Sequence, residues 1–421
     1  MLILAGLFLL ALAALNFRCA RSWAYPPCVY AIVWSFALLL LWIFRDAFFP
    51  VGAESIFYFV SGAVAFSIGG LAMLALHFHP FPRERREYRN SSAISLGLDI
   101  GLFVLVVCFP LYLRYMRYAA SLALSAGKNS AEQLRRGSML LANDPNRGLR
   151  FEPSLLPFSI IFALLAYHEY RGGPLRRWRT CATVLLGFLY AIATEARSEL
   201  MVLLIGLAAV AWLRHGKLPR RLLAVATAVF LVVFTVNQIS LEKMDAQAGA
   251  SFSQNLPAVA TGLLAYALGG IVAFDHYINN PGSVENGWKL SKPIARIANR
   301  FGADMDEPSR HLIFTEISPG RETNVYTVYF PFHEDGLPMT LFSFALLGAF
   351  STLVFRYARR GHPLAVVCYG FILYGILMSV FAEEFFARMS LYAKAGVIVI
   401  LLYAVCPRVF RLLLPPREVT S

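Results

Sequence analysis

Apolar residues in this chain come in long blocks, most of sixteen positions or more, and blocks of that length admit few folds. As helix, such a block reaches across a hydrocarbon core roughly 30 Å thick. In lipid, only helices and closed barrels satisfy their own backbone hydrogen bonds, and barrel strands alternate apolar with polar residues, which these blocks do not. A bundle of membrane-spanning helices remains. Composition agrees: 15% of the 421 residues are charged, against about 25% in soluble domains, and the mean hydropathy is +0.59.

The expected fold is all-α and polytopic, with about eleven spans near 1–17, 28–44, 55–77, 93–113, 154–169, 180–195, 199–213, 221–240, 340–356, 363–380 and 390–406. A further apolar stretch, 257–274, holds four glycine or proline positions inside a polar surrounding. It reads as a buried or interfacial helix, and as a twelfth crossing if it spans. The first block lacks a basic leader and an A-x-A cleavage site, so it reads as a retained helix. No internal repeat or inverted pair of broken helices is visible, as transporters would show.

Basic residues set the orientation. Arg18 and Arg21 follow the first span, and Arg83, Arg85, Arg86 and Arg89 the third. Arg171, Arg176, Arg177 and Arg179 follow the fifth, Arg214, Lys217, Arg220 and Arg221 the seventh. Arg356, Arg359 and Arg360 follow the ninth, Arg408 and Arg411 the eleventh, while the intervening short loops hold only Arg45, Arg197 and Arg388. The positive-inside rule then puts the N-terminus outside and the C-terminus in the cytoplasm. The net charge of +13 belongs to these cytoplasmic turns and gives no reason to expect nucleic acid. The six cysteines lie in or beside apolar blocks without metal-like spacing and read as small core residues.

Three regions follow. Residues 1–240 carry spans one to eight, with an outward segment at 114–152 that includes an amphipathic stretch, Ser130 to Leu141, and the turn Asn143-Asp144-Pro145-Asn146. Residues 241–339 form one long outward loop with eleven acids against seven bases, far longer than ordinary connections and so a candidate functional region. Residues 340–421 carry the last three spans and a cytoplasmic tail.

Candidate chemistry gathers on the outward side. Arg197, in the tight turn Glu195-Ala-Arg197-Ser-Glu199, reads as a lipid-facing arginine or as a fixed fork for a phosphate, which guanidinium binds in bidentate fashion. The run Arg321-Glu-Thr-Asn324-Val-Tyr326-Thr327-Val-Tyr329-Phe-Pro-Phe332-His333-Glu334-Asp335-Gly336 gathers guanidinium, amide, hydroxyl, imidazole and carboxylate groups at the start of the ninth span. Its tyrosines suit an interfacial belt or stacking on sugars. Asp275-His276 offers a general base, and Glu383, Glu384 and Arg388 form either a solvated helix end or part of the same site. Asp99, nearer the cytoplasm, reads as a structural polar contact.

On these residues the chain resembles the oligosaccharide repeat-unit polymerases, the Wzy-type O-antigen polymerase family. The likeness covers the layout: many spans, one long outward loop between late spans, and an arginine opening a helix midway. Its sharpest motif is Asn324-Val-Tyr-Thr327, followed by an acid and Gly336 at a helix start. The family pattern runs Asn-x-Tyr-Thr, then Asp-Phe-Gly and a second glycine. Here Glu334 takes the place of the acid, Asp335 that of the aromatic and Met339 that of the second glycine, which leaves open which carboxylate matters.

The resemblance implies a bundle like that of GT-C-type polymerases and ligases, in a bacterial inner membrane with the N-terminus periplasmic. It implies undecaprenyl-pyrophosphate-linked oligosaccharides as substrates, with membrane lipids, a chain-length regulator and a flippase as partners, and no cofactor, metal or nucleic acid. Arg197 and Arg321 would bind pyrophosphate, with Arg388 a weaker candidate. Asn324, Thr327, Tyr329, His333 and Asp335 would contact sugar or phosphate, and His276 or Glu334 the acceptor hydroxyl. An O-antigen ligase shares the layout, but its family carries a histidine where Thr323 stands. A flippase would need polar residues along several spans, and a structural subunit of an envelope assembly stays open.

Overall fold

The computed structural model describes residues 1–76, 91–123, 133, 137, 151–170, 172–194, 197–217, 219–240, 252–279, 299, 302, 314–323, 327–333 and 336–413. Over these residues the chain is helical except for one hairpin. The helices are α1 (Leu2–Ala20), α2 (Pro26–Ile43), α3 (Ala53–Ala75), α4 (Ser91–Ser121), α5 (Glu152–Glu169), α6 (Pro174–Ile192), α7 (Arg197–His215), α8 (Arg220–Ser240) and α9 (Phe252–Asn279). The antiparallel hairpin β1 (Thr315–Ser318) and β2 (Arg321–Thr323) comes next. It is followed by the single turn α10 (Phe330–His333), then α11 (Gly336–Arg359), α12 (Pro363–Met378) and α13 (Met389–Ile400), which a π-helical turn joins to α14 (Cys406–Leu413).

Eight of the described helices are long and apolar enough to cross a membrane, and α12 is a shorter apolar helix. The chain is an all-α polytopic membrane protein. Each of the eleven apolar blocks lies in a helix. Along α4, Ile100, Phe103, Val104, Val107 and Leu111 are exposed together; at this helical spacing they form one apolar stripe, which suits lipid and not water.

Two elements are longer than their apolar runs predict. The stretch expected as a buried or interfacial helix at 257–274 is a helix from Phe252 to Asn279, long and apolar enough to span. The span expected to end at 113 runs further, because α4 continues to Ser121 past Arg114 and Arg117. A helix ladder does not stop where side chains turn polar. The amphipathic stretch at 130–141 and the turn at 143–146 lie outside the described residues.

The described chain divides into two compact units. The first holds α1–α3, α9, the hairpin, α10, α11 as far as Tyr357, and residues 371–389. Its closest helix contact joins α3 to α11. A Cβ on Gly69 would collide with the carbonyl of Ala345, and one on Gly348 with the carbonyl of Phe66. Small residues that let backbones touch are the usual device where lipid removes the hydrophobic drive between helices. Polar ties add to this: Asn16 Nδ2 donates to Ser67 Oγ at 2.9 Å, and Ser35 Oγ to the Gly6 carbonyl at 2.7 Å. Such bonds in membrane bundles contribute about 0.6 kcal/mol each.

The ends of this unit differ. At one, Arg356 on α11 donates from Nη1 to the carbonyls of Met73 and Leu76, both at 2.7 Å, so α3 and α11 finish together beside the start of α2. Arg18 and Arg21 sit at this end, in and after the last turn of α1. At the other lie the first turn of α3, the end of α9 and the hairpin, which Phe49 N reaches through the Ile317 carbonyl at 2.9 Å. The described basic residues of this unit, Arg18, Arg21 and Arg356, and its hairpin therefore occupy opposite ends.

The second unit holds α4–α8, residues 358–370 and α13–α14. Arg179 is buried on α6 and donates from Nη1 to the Ser95 carbonyl at 3.0 Å and to Asp99 Oδ1 at 3.3 Å on α4. Asp99 is thus the structural contact expected of it. Tyr190 donates to the Leu105 carbonyl at 2.8 Å, tying α6 to α4. Arg214 closes the end of α5 by donating to the carbonyls of Tyr167 and Tyr170.

Candidate functional site

At the loop end of the first unit, the chain from Thr327 to His333 folds back into the helical interior. Thr327, Val328, Tyr329, Phe330 and Phe332 are all buried. An irregular segment at that depth needs its backbone satisfied by protein. Val328 N donates to the Ser379 carbonyl at 2.8 Å, and Trp34 Nε1 to Ser379 Oγ at 3.0 Å. Tyr329 is the anchor. Its ring stacks on Phe344 with centroids 4.5 Å apart and meets Trp34 edge-on at 5.1 Å. Its hydroxyl donates to the Phe59 carbonyl and accepts from Tyr30, both at 3.0 Å.

The anchor delivers His333. The α10 turn closes with His333 N donating to the Tyr329 carbonyl at 3.0 Å, and α11 secures it when Thr340 Oγ1 donates to the Phe332 carbonyl at 2.9 Å. The imidazole stands edge-to-face with three rings: Tyr58 of α3 at 5.2 Å, Phe274 of α9 at 5.8 Å and Tyr277 of α9 at 6.1 Å. Burial among them pushes its pKa below the ordinary value, and the nearby Glu54 carboxylate opposes that shift. The ring is therefore neutral near pH 7. Its Nδ1 is buried without a hydrogen-bond partner in the structure. A neutral imidazole with an open nitrogen can accept a proton.

The turn after α12 packs beside this segment through Phe386, whose ring meets Phe332 edge-on at 5.9 Å. Glu383 accepts from the backbone N–H groups of Phe386 and Ala387 at 2.7 and 3.0 Å, and burial pushes its pKa up. Arg388 donates from Nε to Glu384 at 2.6 Å and from Nη2 to the Tyr374 hydroxyl at 3.3 Å, and lies over the Tyr374 ring at 4.8 Å. Of the two readings of this turn, a plain solvated helix end does not describe it: the turn is ordered and its arginine is held flat.

Other expected residues fall differently. Thr327 and Tyr329, expected to contact sugar, are turned inward: Thr327 Oγ1 accepts from Tyr329 N at 3.3 Å, and the tyrosine hydroxyl is doubly engaged. Asp275, paired with His276 in the sequence as a base, is buried and accepts from Gly52 N and Ser55 Oγ, while His276 is exposed. Arg321 begins β2 and is itself exposed, while Thr315, Ile317 and Ser318 of the facing strand are buried. Arg197 is the first residue of α7 in the other unit, and its side chain lies outside the described residues, as do Asn324, Glu334 and Asp335.

Tyr58, Phe274 and Tyr277 were not singled out in the sequence, where they are unremarked aromatics in apolar helices. Among the described residues no three His, Cys, Asp or Glu side chains gather closely enough to hold a metal ion.

On the loop side of their glycine contact, α3 and α11 diverge. They leave a groove of about 560 Å³ lined by Phe57, Val60, Val64, Ile68, Leu341 and Phe342 among others. Its hydroxyl, on Ser61, is turned back onto the Phe57 carbonyl at 2.6 Å. No protein-family model, curated protein or solved structure matches this chain.

Proposed function

We propose that this protein polymerises oligosaccharide repeat units carried on undecaprenyl pyrophosphate, at the periplasmic face of a bacterial inner membrane. In this reading it crosses eleven or twelve times in a bundle of the GT-C kind, with its N-terminus periplasmic and its C-terminus cytoplasmic. The observation that carries the reading is His333, a neutral imidazole with an unpartnered nitrogen, walled by aromatic rings at the end of its unit opposite the basic turns.

The chemistry follows from those groups. The acceptor hydroxyl at the non-reducing end of a new unit attacks the anomeric carbon of the growing chain. The bond from that carbon to the pyrophosphate oxygen breaks, and the hydroxyl proton passes to His333. Aromatic faces suit the sugar, Arg321 and Arg388 are the cations proposed for the departing pyrophosphate, and Arg197, in the other unit, is a candidate from the sequence alone. His333 takes the role first assigned to His276 or Glu334, since Asp275 beside His276 is committed elsewhere. The α3–α11 groove suits the hydrocarbon tail of the carrier.

The experiment is deletion in the host and complementation with His333→Ala and Arg197→Ala, read by gel display of surface polysaccharide. Loss of a polymerase leaves core carrying a single repeat unit, and His333→Ala is expected to give that pattern. Loss of every attached unit marks a ligase, and units retained inside the cell mark a flippase. Full-length chains from His333→Ala remove the reading, and full-length chains from Arg197→Ala remove that arginine from it.

A further inference from the structure

We infer that Asp275 is a positioning residue that builds the His333 recess by pinning the end of α9 to the first turn of α3. Asp275 is buried, and its Oδ1 accepts from Gly52 N at 2.8 Å and from Ser55 Oγ at 2.6 Å. Gly52 is the N-cap of α3 and has no side chain with which to serve the orphan donors there. An acid from another helix takes over that work, and the positive end of α3 favours its charge.

The geometry reaches His333 through the neighbours of both partners. Phe274 and Tyr277 sit three residues apart on α9, so they share a face, with Asp275 between them. Tyr58 lies one turn beyond Ser55 on the same side of α3. These three rings are the walls of the imidazole, and the two turns that carry them are the two that Asp275 joins. Rotating α9 by one residue, about 100°, would carry Phe274 and Tyr277 off the ring. The titratable groups facing His333 from these elements are Glu54 and Tyr58 on α3 and Tyr277 on α9. Asp275 itself bonds away from the ring.

This inference rests on His333 being the working group and adds how its surroundings are held. The test uses the full-length protein in nanodiscs. Carbethoxylation by diethyl pyrocarbonate is followed at each histidine by mass spectrometry across pH, alongside the glycan pattern in cells. In Asp275→Ala, α9 slips, water enters, and the His333 midpoint is expected to rise by about one pH unit with faster modification. Asp275→Asn keeps an oxygen acceptor at Oδ1 and is expected to track the wild type. Wild-type reactivity at His333 in Asp275→Ala overturns the inference.

Should that variant not accumulate, Ser55→Ala removes one of the two donors. It is expected to shift the midpoint in the same direction by less, and an unmoved midpoint overturns the inference equally. A shifted midpoint upholds the pin, and full-length chains from His333→Ala in the same cells then remove the polymerase reading while leaving the pin in place.

Discussion

Tyr30 and Tyr329, 299 positions apart, share a hydrogen bond of 3.0 Å in the interior, and Tyr329 passes the chain of bonds on to the carbonyl of Phe59. Three elements thereby meet at one phenol. Tyr329→Phe leaves a buried carbonyl and a buried hydroxyl unpartnered, at a cost of about 1–3 kcal/mol. Tyr30→Phe is expected to cost less, because the bond from Tyr329 to Phe59 survives it. Thermal unfolding of the purified protein in detergent should rank the melting temperatures wild type, Tyr30→Phe, Tyr329→Phe.

His333 gives the site an acid limit. Its folded pKa lies below the ordinary value, about 6.5 for histidine, so between the two values the unfolded chain binds more protons. The stability linked to this group is therefore full above the unfolded pKa and is lost as pH falls toward the folded one. Proton acceptance itself is lost as pH falls through the folded value. The proposed polymerisation, followed in vesicles from about pH 8 down to about pH 5, should fall on the acid side only after passing the ordinary histidine value. His333→Gln should flatten the corresponding slope in stability.

Arg388 is held by charge and by a ring face together. Arg388→Ala strands Glu384, whose side chain is 19% exposed, and is expected to destabilise by about 1–2 kcal/mol and, under the proposed function, to shorten the glycan. Arg388→Lys restores the charge but neither the planar donor edge nor the stack on Tyr374. Gel display should place the lysine variant nearer to alanine than to wild type.

The α3–α11 contact tolerates no added carbon. Gly69→Ala and Gly348→Ala each drive a methyl into a carbonyl of the facing helix. They should lower stability by about 1–3 kcal/mol, despite the better helix propensity of alanine. The same change at Gly172, where a Cβ meets nothing within 4 Å, tests backbone strain alone, since its φ is 98°. Melting curves of the three separate the two causes.

The helices were legible because lipid demands long apolar blocks, and eleven such blocks stand in the sequence. The hairpin was not read, although Ser318-Pro319-Gly320 between short polar-apolar runs is a turn signal. Within the candidate site, the difference between His276 and His333 could not be seen, because both are lone histidines beside aromatics. What separates them is tertiary. The end of α9 comes to rest on the start of α3, which leaves His276 exposed and closes rings around His333. Asp275 misled for the same reason: nothing local reveals that its acceptor is needed by a glycine-capped helix more than two hundred positions earlier.

The clasp from Arg356 to the carbonyls of Met73 and Leu76 has no titrating partner. Acid that neutralises carboxylates cannot loosen it. The vertical register of α3 against α11, and with it the depth of the groove between them, is therefore indifferent to acid even where the proposed chemistry at His333 is not.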